Sequence, residues 1–422
     1  MRSFFRDDEV LTSFPFALES LILGQVLFQT QKRGPAATMS DLNPLNGRKP
    51  AILSLADGSL FFGYAIGAEG QTVGEVIFNT TLTSYQEILT DPSYAEQIIT
   101  LTYPHIGNVG VNADDQESHR IWAAGLIIRE LSPIASNWRA EQSLENYLKS
   151  DGIVAIAGID TRRLVRLIRE QGVLNGCIIA GEDVDADQAL ACARAYPGLK
   201  GKDLAQTAST RRMQTWVERT LALEGSQKIA QKNNYHVVVY DYGLKRQILR
   251  LLVDHGCSVT VVPAQTPIKE VLNLNPSGIV LSNGPGDPAA CDYAITAIQE
   301  ILENGIPLLG ICFGFQLLAL ACGGQTEKMK FGHHGANHSV QNSTTGRVYI
   351  TSQNHSFAVN EKNLPDTLRV THRSLFDGTL QGISHKTKPA IAFQGHPEAS
   401  PGPQDMRGIF KEFVELISER GQ

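Results

Sequence analysis

An α/β chain is predicted, with a doubly wound, mostly parallel C-terminal sheet and a separate mixed α/β N-terminal domain, and three features predict it. Beyond His236, short apolar runs rich in Val, Ile and Leu alternate with amphipathic stretches, the pattern of parallel strands joined by crossover helices. Several of those runs end in Gly- or Pro-containing turns, as expected where strands open onto a binding edge. Upstream, from about Ala51 to Gly198, β-rich runs are joined by hairpin and loop signals, so that region is organised differently. At 422 residues the chain exceeds one typical core, and two domains are expected.

In chain order, residues 1–48 are an N-terminal extension, expected to be non-catalytic. Its apolar stretch 14–28 follows Asp7, Asp8 and Glu9 and is interrupted by Glu19, unlike an export or transit signal. Met39 is an alternative start. The N-terminal domain spans 49–199. It opens with a hairpin of strands 51–55 and 60–65 around Asp57-Gly58, a pair suited to a tight turn. Further strands are expected at 75–79, 97–102 and 124–128, and helices at 143–149 and 161–171. In the second helix Arg162, Arg163, Arg166 and Arg169 interleave with Leu164, Val165, Leu167 and Ile168, which reads as a solvated face, with a partner surface as the alternative.

A polar stretch, 200–234, serves as linker. The second domain, 235–422, begins with a strand at 236–241 and a helix over 245–255. Strand 258–262, helix 268–272, strand 278–281 and helix 293–303 follow. Next comes the apolar strand 307–311 with a Leu/Ala-rich helix after Gly314. The rest is expected to be strand- and loop-rich, with a strand at 348–351, a polar turn at 353–357 and a closing amphipathic helix over 404–420.

Composition excludes several classes of function. A net charge of −6 lacks the basic footprint of a nucleic-acid protein. No apolar run approaches the roughly 20 residues that cross a bilayer. The six cysteines show neither C-x-x-C pairs nor metal spacing, which suggests reduced thiols and a cytoplasmic protein. His333, His334 and His338 are close in sequence, but no acid or thiol is spaced to complete a metal site, so none is expected.

Three motifs carry chemistry. Gly310-Ile311-Cys312-Phe313-Gly314 joins strand to helix as a nucleophile elbow, whose glycines permit a sharp turn that presents Cys312 above the sheet. The helix N-terminus favours thiolate and offers N–H groups to an oxyanion. A buried structural cysteine is the competing reading. Gln394-Gly395-His396-Pro397-Glu398 follows another apolar run; His396 can act as general base and acid, and Glu398 can orient it. Strand 278–281 runs into Asn283-Gly284-Pro285-Gly286, where small residues let a ligand approach the backbone.

These motifs, in this order, resemble class I (triad) glutamine amidotransferases. Asn79 to Pro92, Leu101 to Asn108, Lys330 to His338 and His396 to Pro403 narrow the resemblance to the small-subunit family of carbamoyl-phosphate synthase, over residues from about Lys49 to the C-terminus. The resemblance implies that Cys312 attacks the side-chain amide of L-glutamine while backbone N–H groups of Phe313 and Gly284 hold the oxyanion. His396 then shuttles protons and Glu398 orients it. Thr81, Gly286, Gln316, Asn354, Ser356 and Phe357 match the positions that hold glutamine. It also implies a large-subunit partner that receives ammonia and makes carbamoyl phosphate from bicarbonate and ATP. ATP, Mg and bicarbonate belong to that subunit, and no cofactor belongs to this chain.

The sequence departs from the family pattern at three of these sites and at Phe315. Thr81 replaces Ser, Phe313 replaces Leu, Ser356 replaces Gly, and Phe315 replaces the His beside the nucleophile. Two other readings stay open: an amidotransferase subunit serving a different acceptor, and a catalytically silent binding or regulatory protein.

Overall fold

The computed structural model describes residues 47–221 and 234–420. The expected extension falls almost wholly outside the described residues, as does part of the expected linker.

Seven strands of the N-terminal region close into a barrel. Around it run Pro50–Leu55, Leu60–Ala65, Ala155–Ala157, Gly125–Ile127, Gln97–Leu101, Gly70–Asn79 and Leu174–Ala180, and the last pairs with the first. The hairpin expected at 51–65 is present with antiparallel register. Every residue of Gln97–Leu101 is buried, so this strand is covered on both faces. The closing strand Leu174–Ala180 and the helix Ala186–Ala195 had no counterpart in the sequence reading. Helix Thr161–Gln171 has the expected bounds; Asp160 caps it by accepting from the Arg163 N–H, and its four arginines are exposed.

The second region is built on a ten-stranded sheet. Its middle is parallel and doubly wound, in the order Cys257–Pro263, Tyr235–Asp241, Gly278–Leu281, Leu308–Ile311 and Ala390–Phe393. Four antiparallel strands extend one side, Leu380–His385, Leu368–Ser374, Thr326–Asn342 and Val348–Val359, and Gln214–Trp216 extends the other. Helices cover both faces, which gives two apolar clusters, one containing Phe315 and Leu318 and the other Leu309 and Phe413. Truncating a wholly buried residue such as Leu309 to Ala would cost about 2–5 kcal/mol.

Three expectations need correction. Residues 353–357 are not a turn but the middle of the strand Val348–Val359, and His333, His334 and His338 lie within the strand Thr326–Asn342, not a loop. The two strands pair with register shifts between Lys328 and His333 and between Gly335 and His338. Such bulges let buried polar side chains stand where alternation would place apolar ones. The expected linker also contains ordered elements, the helix Ala205–Ala208 and the edge strand Gln214–Trp216.

The barrel and the sheet region meet through named contacts. The Phe78 and Phe331 rings lie 6.2 Å apart, the Val173 N–H donates to the Lys330 carbonyl at 2.8 Å, and Lys328 pairs with the buried Glu75.

Candidate active site

Strand Leu308–Ile311 ends at Cys312, whose backbone sits at φ 54° and ψ −100°, and helix Phe313–Ala321 begins at the next residue. Positive φ at a residue with a side chain is strained, and such strain concentrates at functional positions. The turn is possible because Gly314 has no Cβ: one built there would lie 2.3 Å from the Leu281 carbonyl oxygen. Cys312 is buried, and its sulfur lies 3.5 Å from the Asn354 carbonyl oxygen and 3.7 Å from the Gln394 amide nitrogen.

His396 is held from two sides. Its backbone N–H donates to the Ser352 carbonyl at 2.8 Å, and its Nδ1 donates to Glu398 Oε1 at 2.7 Å. A carboxylate only accepts, so Nδ1 carries the proton and Nε2 is left to face the chemistry. Nε2 is buried without a hydrogen-bond partner. Burial alone would push the imidazole pKa down, but the Glu398 carboxylate and the Cys312 sulfur outweigh it and hold His396 above its ordinary range. Burial pushes Glu398 upward in turn; the Lys245 ammonium and the His396 ring outweigh it and keep the carboxyl well below its usual range.

Lys245 is a component that sequence reasoning missed. It is buried, and its Nζ donates to Glu398 Oε1 at 2.9 Å and to the Ala399 carbonyl at 2.7 Å. Nothing local marks a lysine at the start of a helix as the partner of an acid 153 residues away.

Next to Cys312 lies a narrow cleft. Gly284, Gly286, Phe313, Gln316, Asn354, Ser356 and Phe357, all expected at the site, line it together with Cys312. Thr81 does not: it is buried at the barrel edge, with its N–H on the Asn79 side-chain oxygen and its hydroxyl unpartnered. The N–H of Phe313, in the first turn of its helix, has no intrahelical acceptor. Gly284 is required by close approach, since a Cβ there would stand 2.3 Å from the Tyr242 carbonyl oxygen. Gln316 spends its amide N–H groups on the Phe357 carbonyl at 2.7 Å and the Gln394 side-chain oxygen at 3.0 Å.

The opposite wall comes from outside the sheet region, with Ser93, Gln97 and Leu199. Gln97 Nε2 donates to Ser356 Oγ at 3.2 Å, so the serine that replaces glycine has a partner in the barrel. Asp91 accepts from Asn354 Nδ2 at 3.2 Å, and His334 Nδ1 donates to the other end of the same amide at 2.9 Å, which fixes its orientation. Asp91 stood in a telling stretch of sequence, but buried polar residues such as Gln97 carry no sequence signal. Phe315 is wholly buried in the apolar cluster beneath the helix and does not line the cleft. His333 is tied to Asp377 at 2.9 Å. Among the described residues no group of three or more His, Cys, Asp or Glu is arranged to hold a metal ion, and no helix is long and apolar enough to cross a membrane.

Comparison with known proteins adds to the geometry. Residues 238–416 match the family model of class-I glutamine amidotransferases, and residues 53–178 match that of the carbamoyl-phosphate synthase small chain, CPSase domain. The carbamoyl phosphate synthase small chain of Pseudomonas aeruginosa is 63% identical over 375 residues, covering 88% of this chain and 99% of that one. Its counterpart in Thioalkalivibrio sulfidiphilus is 61% identical over 373 residues, 88% of this chain and 98% of that one. The Pectobacterium atrosepticum counterpart is 62% identical over 372 residues, 87% and 97% of the two chains.

Proposed function

Since the chain belongs to the family of carbamoyl-phosphate synthase small chains, we propose that it hydrolyses L-glutamine through a Cys312 thioester and delivers the ammonia to a large subunit. The observation that carries this reading is the buried assembly of an elbow cysteine and a His396–Glu398 pair beside a cleft lined by Gly284, Gly286, Gln316 and Asn354.

A carboxamide is a weak electrophile, so its hydrolysis needs a strong nucleophile, a proton shuttle and an oxyanion site. In this reaction the sulfur of Cys312 attacks as thiolate, and His396, stabilised as imidazolium by Glu398, is the proton donor. Attack of the sulfur on the amide carbon forms a tetrahedral oxyanion, which the N–H groups of Phe313 and Gly284 receive. His396 protonates the departing ammonia and leaves the γ-glutamyl thioester. The neutral ring then takes a proton from water as that water attacks the thioester, which releases glutamate and regenerates the sulfur. Gly286, Gln316, Asn354, Ser356 and Phe357 shape the glutamine pocket, whereas Thr81, buried at the barrel edge, stands outside its lining.

Free ammonia is protonated in water and lost as a nucleophile, so delivery through a closed path to the large subunit completes the function. That subunit carries ATP, Mg and bicarbonate and makes carbamoyl phosphate for arginine and pyrimidine synthesis. The six free cysteines fit a cytoplasmic enzyme.

The test is glutamate release from glutamine by wild type and Cys312→Ser, each alone and with a carbamoyl-phosphate synthase large subunit, ATP and bicarbonate. Release that falls by about 10³-fold or more in the variant and rises with the partner is expected. Glutamine binding without turnover in the wild type would make the chain a silent regulator, and turnover indifferent to the partner would assign it another acceptor.

A further inference from the structure

The reaction outlined above makes no use of Glu117, a wholly enclosed acid from the barrel side of the molecule. Its surroundings give it a specific position. The Arg246 N–H donates to its carbonyl at 2.9 Å, and the Gln247 N–H donates to its carboxylate Oε2 at 3.0 Å. These are the first two N–H groups of helix Arg246–Asp254, groups that a helix leaves without internal acceptors. Lys245, the residue at the N-cap position, makes no side-chain cap of its own. Its side chain points to Glu398 instead, and the capping is done by Glu117 from the other side of the interface.

We infer that Glu117 is a positioning residue for glutamine hydrolysis: it clamps the first turn of the helix that opens at Lys245, and so fixes the ammonium that orients Glu398 and His396. The chain of contacts is continuous. Thr90 Oγ1 accepts the Glu117 N–H at 3.0 Å, and the Ser118 hydroxyl donates to the Thr90 carbonyl at 2.5 Å, so the barrel side holds the clamp. Glu117 holds the helix start, Lys245 Nζ holds Glu398 Oε1, and that oxygen holds His396 Nδ1.

Charge follows the same route. Burial would push the Lys245 ammonium pKa down, but the carboxylates of Glu398, Glu117 and Asp91 outweigh it and keep the ammonium charged. Burial raises the Glu117 pKa, an effect opposed by Lys245, the Gln247 N–H and the Ser400 hydroxyl and reinforced by Glu398. Glu87 also faces Glu117, and Arg407 faces Glu398.

This inference rests on the proposed glutaminase reaction, and the experiment separates the two. Full-length wild type, Cys312→Ser, Glu117→Ala and Glu117→Gln are assayed for glutamate release across pH, alone and with the large subunit, ATP and bicarbonate. Glu117→Ala is expected to lower kcat about tenfold or more, with KM changed by less than about twofold. Glu117→Gln keeps an acceptor for the Gln247 N–H. It is expected to recover kcat to within about threefold of wild type, because the clamp on the helix start is kept. A folded Glu117→Ala variant with wild-type kcat, or with its loss confined to KM, overturns the inference. So does a folded Glu117→Gln variant that loses kcat about tenfold or more, and this variant decides the matter if Glu117→Ala does not fold. A wild type without Cys312-dependent release sinks both readings.

Discussion

Lys245 and His396 share one oxygen: Glu398 Oε1 accepts from the lysine ammonium at 2.9 Å and from the imidazole Nδ1 at 2.7 Å. The acid is thus fixed between a permanent cation and the ring it orients, and all three side chains are buried.

Removing the lysine strands a buried carboxylate. Lys245→Met is expected to cost about 3–5 kcal/mol of stability, the range for breaking a buried ion pair by deleting one partner. Urea unfolding and glutamate release are the measurements. Unchanged stability together with unchanged turnover would show that Glu398 does not depend on this ammonium.

Acid and alkali should act on different members of the site. Glu398 has a depressed pKa in the folded state, so its contribution is present above its unfolded value of about 4.3 and is lost as pH falls toward about 2. The His396 pKa is raised, so its contribution is complete below about 6.5 and is lost as pH rises toward about 10. Urea midpoints measured over that range for wild type and Glu398→Gln should differ most in the acid arm. Parallel curves there would remove Glu398 as the source of acid sensitivity.

Gly284 offers a test of the oxyanion site that leaves the nucleophile alone. A Cβ at this position meets the Tyr242 carbonyl, so Gly284→Ala must displace the turn that carries its N–H. A displacement of about 1 Å is expected to reduce kcat by about 10²-fold. Steady-state kinetics with circular dichroism would distinguish this from unfolding, and full activity in a folded Gly284→Ala would place the oxyanion elsewhere.

Gln97 reaches the cleft from the barrel and donates to Ser356 Oγ. Gln97→Ala is expected to raise KM for glutamine about three- to tenfold with little change in kcat, the scale of one neutral hydrogen bond. A pure kcat effect would mean that this contact serves the chemistry and not the pocket.

What the sequence disclosed, and what it did not, has a physical pattern. The elbow at Cys312 and the parallel core were legible because both rest on local signals, short apolar strands, helical period and glycines at a turn. Barrel closure was not, because it depends on Leu174–Ala180 pairing with strands about a hundred residues earlier. The strand Val348–Val359 was misread because Ser352, Gln353, Asn354, His355 and Ser356 are buried polar residues whose partners come from elsewhere in the fold. Lys245 and Glu117 escaped for the same reason: each acts on a group more than a hundred residues away.

The cleft beside Cys312 has one wall from the sheet region and another, with Ser93, Gln97 and Leu199, from residues that precede the edge strand Gln214–Trp216. A chimaera that grafts residues 235–422 onto a foreign leader would therefore inherit a nucleophile and lose half of its specificity. Recombination within this family that parts the two halves is expected to break this cleft.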